Sequence, residues 1–112
     1  MDTSSSGEAA QGWVAGASVF SGRPDPTWPL AAALGTRLAG LWDRLPAWFG
    51  GERPVPPGLG YRGCHLTAPD GRVWHAFHEL VTLGPDGRRD AQREFERALL
   101  ASAPPGSLPP FS

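Results

Sequence analysis

Tyr61-Arg62-Gly63-Cys64-His65-Leu66-Thr67-Ala68-Pro69-Asp70-Gly71-Arg72-Val73-Trp74-His75-Ala76-Phe77-His78 carries the strongest short-range signal in this 112-residue chain. Two strand-like segments, Tyr61 to Ala68 and Arg72 to Leu83, flank Pro69-Asp70-Gly71 and predict a β-hairpin. Pro suits the second position of a type I turn, and Gly supplies the positive φ of a G1 bulge, so a three-residue loop closed by Ala68 and Arg72 is expected. That loop fixes a register. Thr67 faces Val73, Leu66 faces Trp74, His65 faces His75, Cys64 faces Ala76 and Arg62 faces His78. Cys64, Leu66, Trp74 and Ala76 then share one face, the expected core face.

On the N-terminal side, Leu30, Leu34, Leu38, Leu41, Trp42 and Leu45 recur at helical spacing, with Thr27 placed as N-cap, Pro29 in the first turn and Pro46 as the stop. Gly35 and Gly40 inside this stripe each cost roughly 1 kcal/mol relative to Ala, so close packing against a sheet is the expected reason for them. Before it, Trp13 to Phe20 reads as a strand covered on both faces, and Pro24 and Pro26 stiffen the corner that follows. Gly50 to Gly60 holds three prolines and four glycines, the composition of a mobile connector or flap.

On the C-terminal side a second Pro-Asp-Gly, Pro85 to Gly87, predicts another turn, after which Asp90 can cap a helix with Phe95, Ala98, Leu99 and Ser102 along one side. Arg93, Glu94, Glu96 and Arg97 read as its solvated face. The expected fold class is a small α+β domain of order β-α-β-β-α, a mainly antiparallel three-stranded sheet packed by two helices. Residues 12–103 form the domain, 1–11 a flexible N-terminal tail and 104–112 a proline-rich C-terminal tail.

Composition narrows the chemistry. The chain has 40% apolar residues with five Trp and five Phe, enough for one core, and the abundance of Arg, Ala, Gly and Pro with no Lys, Asn or Ile suggests a GC-rich genome. Without Lys, Schiff-base catalysis and a P-loop lysine are excluded. Net charge is −1 with interspersed signs, so no basic stripe suited to nucleic acid is expected. A single cysteine precludes an internal disulfide, Met1 to Ala10 lacks a leader pattern, and no apolar run nears the roughly 20 residues of a membrane helix. A cytoplasmic protein with no membrane partner is the expectation.

Two candidate sites follow. His65 and His75, facing each other across the hairpin, are the candidate metal ligands, with zinc as the metal; Cys64 and His78 lie on the opposite face. Were the turn a two-residue Asp-Gly loop, Cys64 would share a face with His75 and His65 with His78, and the four would still split into pairs. A complete zinc site would need Glu79 or a residue from elsewhere, so no cofactor is expected. The second candidate is a binding loop of Arg23, Asp25 and Trp28, able to present a recognition patch or hold an anionic group; its structural alternative is a corner with an Arg23–Asp25 ion pair and Trp28 in the core.

No catalytic residue set or enzyme signature is found. The leading expectation is therefore a small non-catalytic binding or accessory module for a protein or a small anionic ligand. A metal-binding protein or small enzyme using the hairpin His and Cys residues, and a homodimer formed through an exposed sheet edge, are the rivals.

Overall fold

The computed structural model describes residues 12–19, 25–49, 51–56, 61–106 and 108. Its strands are β1 (Val14–Ala17), β2 (Thr27–Pro29), β3 (Cys64–Thr67), β4 (Val73–Phe77), β5 (Leu80–Leu83) and β6 (Asp86–Arg89), and its helices α1 (Ala32–Arg44) and α2 (Glu94–Ala101). The strands form one sheet in the order β2-β1-β3-β4-β5-β6, every pair antiparallel. The α+β class with two helices holds. The three-stranded sheet does not: the described residues form six strands, and the order β-α-β-β-α is replaced by ββαββββα.

Each additional strand has a local cause. Thr27-Trp28-Pro29 pairs with β1 through Gly16↔Thr27, Ala15↔Trp28 and Val14↔Pro29 instead of opening the helix. Proline holds its preceding residue extended and lacks a donor, which suits an edge strand as well as a helix start. The helix begins only at Ala32, after an extended Ala31 with no side-chain cap. The segment Arg72 to Leu83 folds back on itself at His78-Glu79, a two-residue turn between the paired Phe77 and Leu80, with His78 at φ +57°. Arg62↔His78 accordingly lies outside the β3–β4 pairing. The last turn sits earlier than its sequence signal: Leu83 pairs Asp86 around Gly84-Pro85, with Gly84 at φ +60°. A positive φ followed by the fixed negative φ of proline is the sequence pattern of a tight hairpin turn.

The hairpin register is otherwise as the sequence requires: Cys64↔Ala76, His65↔His75, Leu66↔Trp74 and Thr67↔Val73, with Ala68 N–H donating to Arg72 O at 2.9 Å. Strand alternation sorts the side chains onto two faces. Ala15, Ala17, Cys64, Leu66, Trp74, Ala76 and Val81 are buried and form the core with Leu38, Leu41 and Trp42 of α1 and Phe95 and Leu99 of α2. Gly35 lets the indole of Trp13 lie against α1, for a Cβ there would stand 2.2 Å from Trp13 Cδ2. Trp13 in turn stacks on Trp74 with ring centres 6.1 Å apart. Gly40 has no such neighbour; Arg44 Nη1 at 3.8 Å is the nearest atom to its would-be Cβ, and nothing in the structure explains it.

Both sheet edges are blunted. On β6, Arg89 N–H donates to Pro46 O (2.9 Å) and Trp48 N–H donates to Gly87 O (3.0 Å), so the segment after α1 occupies that edge. Arg88 reinforces it, donating to Trp42 O at 2.7 Å and lying over the Trp42 ring. On the other side β2 is three residues long and ends in Pro29. Residues 1–11 of the expected N-terminal tail lie outside the described residues, as do 107 and 109–112 of the C-terminal one, but Leu108 returns to pack, half-buried, on the core. Among the described residues no helix is long and apolar enough to cross a membrane.

Candidate functional site

Both helices pack on one face of the sheet. The other carries Gly16, His65, Thr67, Val73, His75, Phe77, Leu80 and Thr82, and register brings Gly16, His65, His75 and Thr82 into one row across four strands. The described residues 51–56 of the connector run over this face. Pro54 and Pro56 close a cavity of about 240 Å³ whose other walls include Ser18, Arg62, His65, His75, Phe77, Leu80 and Thr82. Proline suits such a strap, because its fixed φ holds the chain extended without backbone pairing. The strap is seated at Gly87, where the Arg53 guanidinium fills the space a side chain would take; an added Cβ would stand 2.7 Å from Arg53 Nη2. Residues 50 and 57–60 of the expected flap lie outside the described residues.

His65 lies over Gly16, so closely that a Cβ on Gly16 would come within 2.4 Å of its Cε1. Its ring centre is 6.1 Å from that of His75. Burial holds the His65 imidazole below its ordinary range, the neighbouring His75 adds to this, and Asp25 opposes it. Asp25 thus belongs to the same neighbourhood. Its Oδ1 accepts the Val19 N–H at 3.0 Å and its Oδ2 lies 3.7 Å from Arg62 Nη2.

Two expected site groups therefore meet in part. Asp25 stands beside the His65–His75 pair, while Arg23, the other charged residue of the expected binding loop, lies outside the described residues. Trp28 is buried in the core, where its Nε1 donates to Ser102 Oγ at 2.9 Å and ties β2 to the end of α2. His65 and His75 face one another as expected, and Cys64 is on the core side; His78 is in the β4–β5 turn. Among the described residues no three His, Cys, Asp or Glu side chains come together as metal ligands, so the pair offers zinc two of the three or four it takes. His78 and Glu79 instead border a second hollow of about 260 Å³ with Trp48, Glu52, Pro54 and Arg89, on which Arg89 is fixed by Glu79 at 2.8 Å and by the Trp48 ring at 3.8 Å.

Behind the cavity is a buried polar cluster. Glu96, expected on a solvated helix face, is wholly buried. Arg93 Nε donates to its Oε1 at 2.7 Å and Tyr61 Oη donates to its Oε2, so the carboxylate is satisfied from both sides. Burial raises the Tyr61 hydroxyl far above its usual range, with Cys64 and Glu96 adding to it. Burial likewise pushes the Cys64 thiol up to about 12, which keeps it protonated and unsuited to nucleophilic attack at neutral pH.

Sequence reasoning missed Phe77, Leu80, Thr82, Pro54 and Pro56 as one site. Phe77 shares the strand parity of His75 and was within reach of the pattern. Leu80 and Thr82 join it only once the chain reverses at His78-Glu79, where neither Gly nor Pro marks a turn. No family model, curated protein or solved structure matches the chain.

Proposed function

We propose that the protein is a small non-catalytic binding module whose ligand sits between the uncovered sheet face and the Pro54–Pro56 strap, working in the cytoplasm. The observation that carries this reading is the cavity itself, concave, partly apolar and furnished with a few convergent polar groups, the usual character of a ligand site. Its volume of about 240 Å³ lies just under the roughly 300–1,000 Å³ of pockets for drug-sized molecules, so the ligand is small. Binding is favoured over catalysis because the buried, protonated Cys64 thiol belongs to the core face of the sheet and is unsuited to nucleophilic attack. The blunted sheet edges favour a ligand in the cavity over a second copy at an edge.

The test is a fragment screen followed by amide chemical shifts of the full chain. Ligands should move the resonances of His65, His75, Phe77 and Thr82 together, and Thr82→Phe, which puts a ring into the cavity, should abolish those shifts while the protein stays folded. Shifts confined to other surfaces, or unaffected by Thr82→Phe, would remove the cavity as the site.

A further inference from the structure

We propose that the cavity takes a small carboxylate carried on a flat apolar body, with the carboxylate at the His65–His75–Thr82 row and the body against Phe77 and Leu80. This inference rests on the cavity being the binding site. The two rows are set by the sheet: His75 and Thr82 are directly paired, and so are Phe77 and Leu80, two residues further along the same strands. Two residues of strand separate the rows by about 6.5 Å. One row thus carries the imidazoles and the Thr82 hydroxyl and the next carries Phe77 and Leu80, with Ser18 at its β1 end, so an occupant with a polar and an apolar part matches the lining.

The sign of the polar end follows from its side chains. Among the described residues lining the cavity there is no Asp or Glu, whereas Arg62, His65 and His75 all line it. Each imidazole offers at least one N–H and Thr82 offers a hydroxyl, donors that a carboxylate can accept on separate lone pairs. Asp25, the negative charge that acts on His65, does not line the cavity: one oxygen accepts the Val19 N–H and the other faces Arg62. A ligand carboxylate would share Arg62 with it. Phe77 and Leu80 on the sheet and Pro54 and Pro56 on the strap line the cavity, and an aromatic body can stack on the Phe77 ring.

Benzoate, benzamide and inorganic phosphate serve as probes, each titrated into the full chain and followed by amide chemical shifts. Benzoate should move His65, His75 and Thr82 and bind at least about tenfold more tightly than benzamide, the ratio one charge-assisted hydrogen bond supplies. His75→Gln and, independently, Thr82→Val should erode that ratio, while benzamide affinity changes little. Benzamide binding as tightly as benzoate would overturn the carboxylate assignment and leave the cavity as the site. Phosphate binding as tightly as benzoate would overturn the apolar half of the assignment. If none of these probes, and no fragment from the wider screen, moves the cavity resonances, the inference and the binding-site reading fall together.

Discussion

A hydrogen atom in place of a side chain at Gly16 is what lets His65 lie flat on the sheet, since an added Cβ would meet the imidazole at 2.4 Å and Thr27 Cγ2 at 3.1 Å. Gly16→Ala should therefore push the ring out of the cavity and cost about 1 to 3 kcal/mol of stability by overpacking, read from urea denaturation and the shifted His65 ring protons; a native ring shift would show that the sheet yields instead. The same imidazole gives stability a pH dependence. Its folded pKa is below the unfolded value, so the unfolded chain binds the proton more readily, and its contribution is complete above pH 6.5 and lost as pH falls below it. His75→Gln removes one cause of the depression and should shallow the decline in urea midpoint between pH 7.5 and 5.5, whereas an unchanged slope would leave the histidine pair out of the account. Cys64, with its thiol raised to about 12 and 3% exposed, should resist iodoacetamide at pH 8 in the folded protein and react on unfolding. Fast alkylation of the native chain would place the thiol in reach of solvent.

At the scale of elements, one arginine seats the strap and another offsets the buried carboxylate of α2. Gly87→Ala denies Arg53 its seat, and because Arg53 is an exposed, flexible side chain the change should leave stability within about 0.5 kcal/mol. The amide order parameters of Arg53 and Val55 should nevertheless fall; unaltered values would mean that the prolines alone hold the strap. Glu96→Gln weakens the charge-assisted bonds from Arg93 and Tyr61 and should cost about 1.5 to 3 kcal/mol, measured by urea denaturation. The contrast between elements also shows what the sequence makes legible. Pro69-Asp70-Gly71 specified the four β3–β4 pairs from Thr67↔Val73 to Cys64↔Ala76, because a turn with fixed φ values sets the register of the strands behind it; Arg62↔His78, past the strand ends, departed from it. His78-Glu79 specified nothing visible, since a residue other than glycine is uncommon in the left-handed region and neither Gly nor Pro marks the reversal. That hidden reversal concealed β5, and with β5 the Thr82 and Leu80 walls of the cavity. Glu96 was misplaced for a related reason: helical spacing locates a face, but burial of its charge depends on Arg93 and on Tyr61, thirty-five residues earlier.

The whole molecule is a sheet with helices on one side and a proline strap on the other, and four of its five tryptophans report on the helical side. Trp28, Trp42 and Trp74 are buried there and Trp13 packs against them, so tryptophan fluorescence and far-ultraviolet circular dichroism should give coincident thermal transitions. Separate midpoints would mean that the outer β5–β6 hairpin melts apart from the core. The order of strands also sets an order in time. From β3 to β6 each strand pairs with the next one in the chain, whereas β1 is inserted between β2 and β3 and finds its second neighbour only when Cys64 to Thr67 is available. Loop closure makes such distant pairings slow relative to local ones. A growing polypeptide thus carries β1, paired to β2 on one side only, until α1 and the connector have been made and β3 emerges.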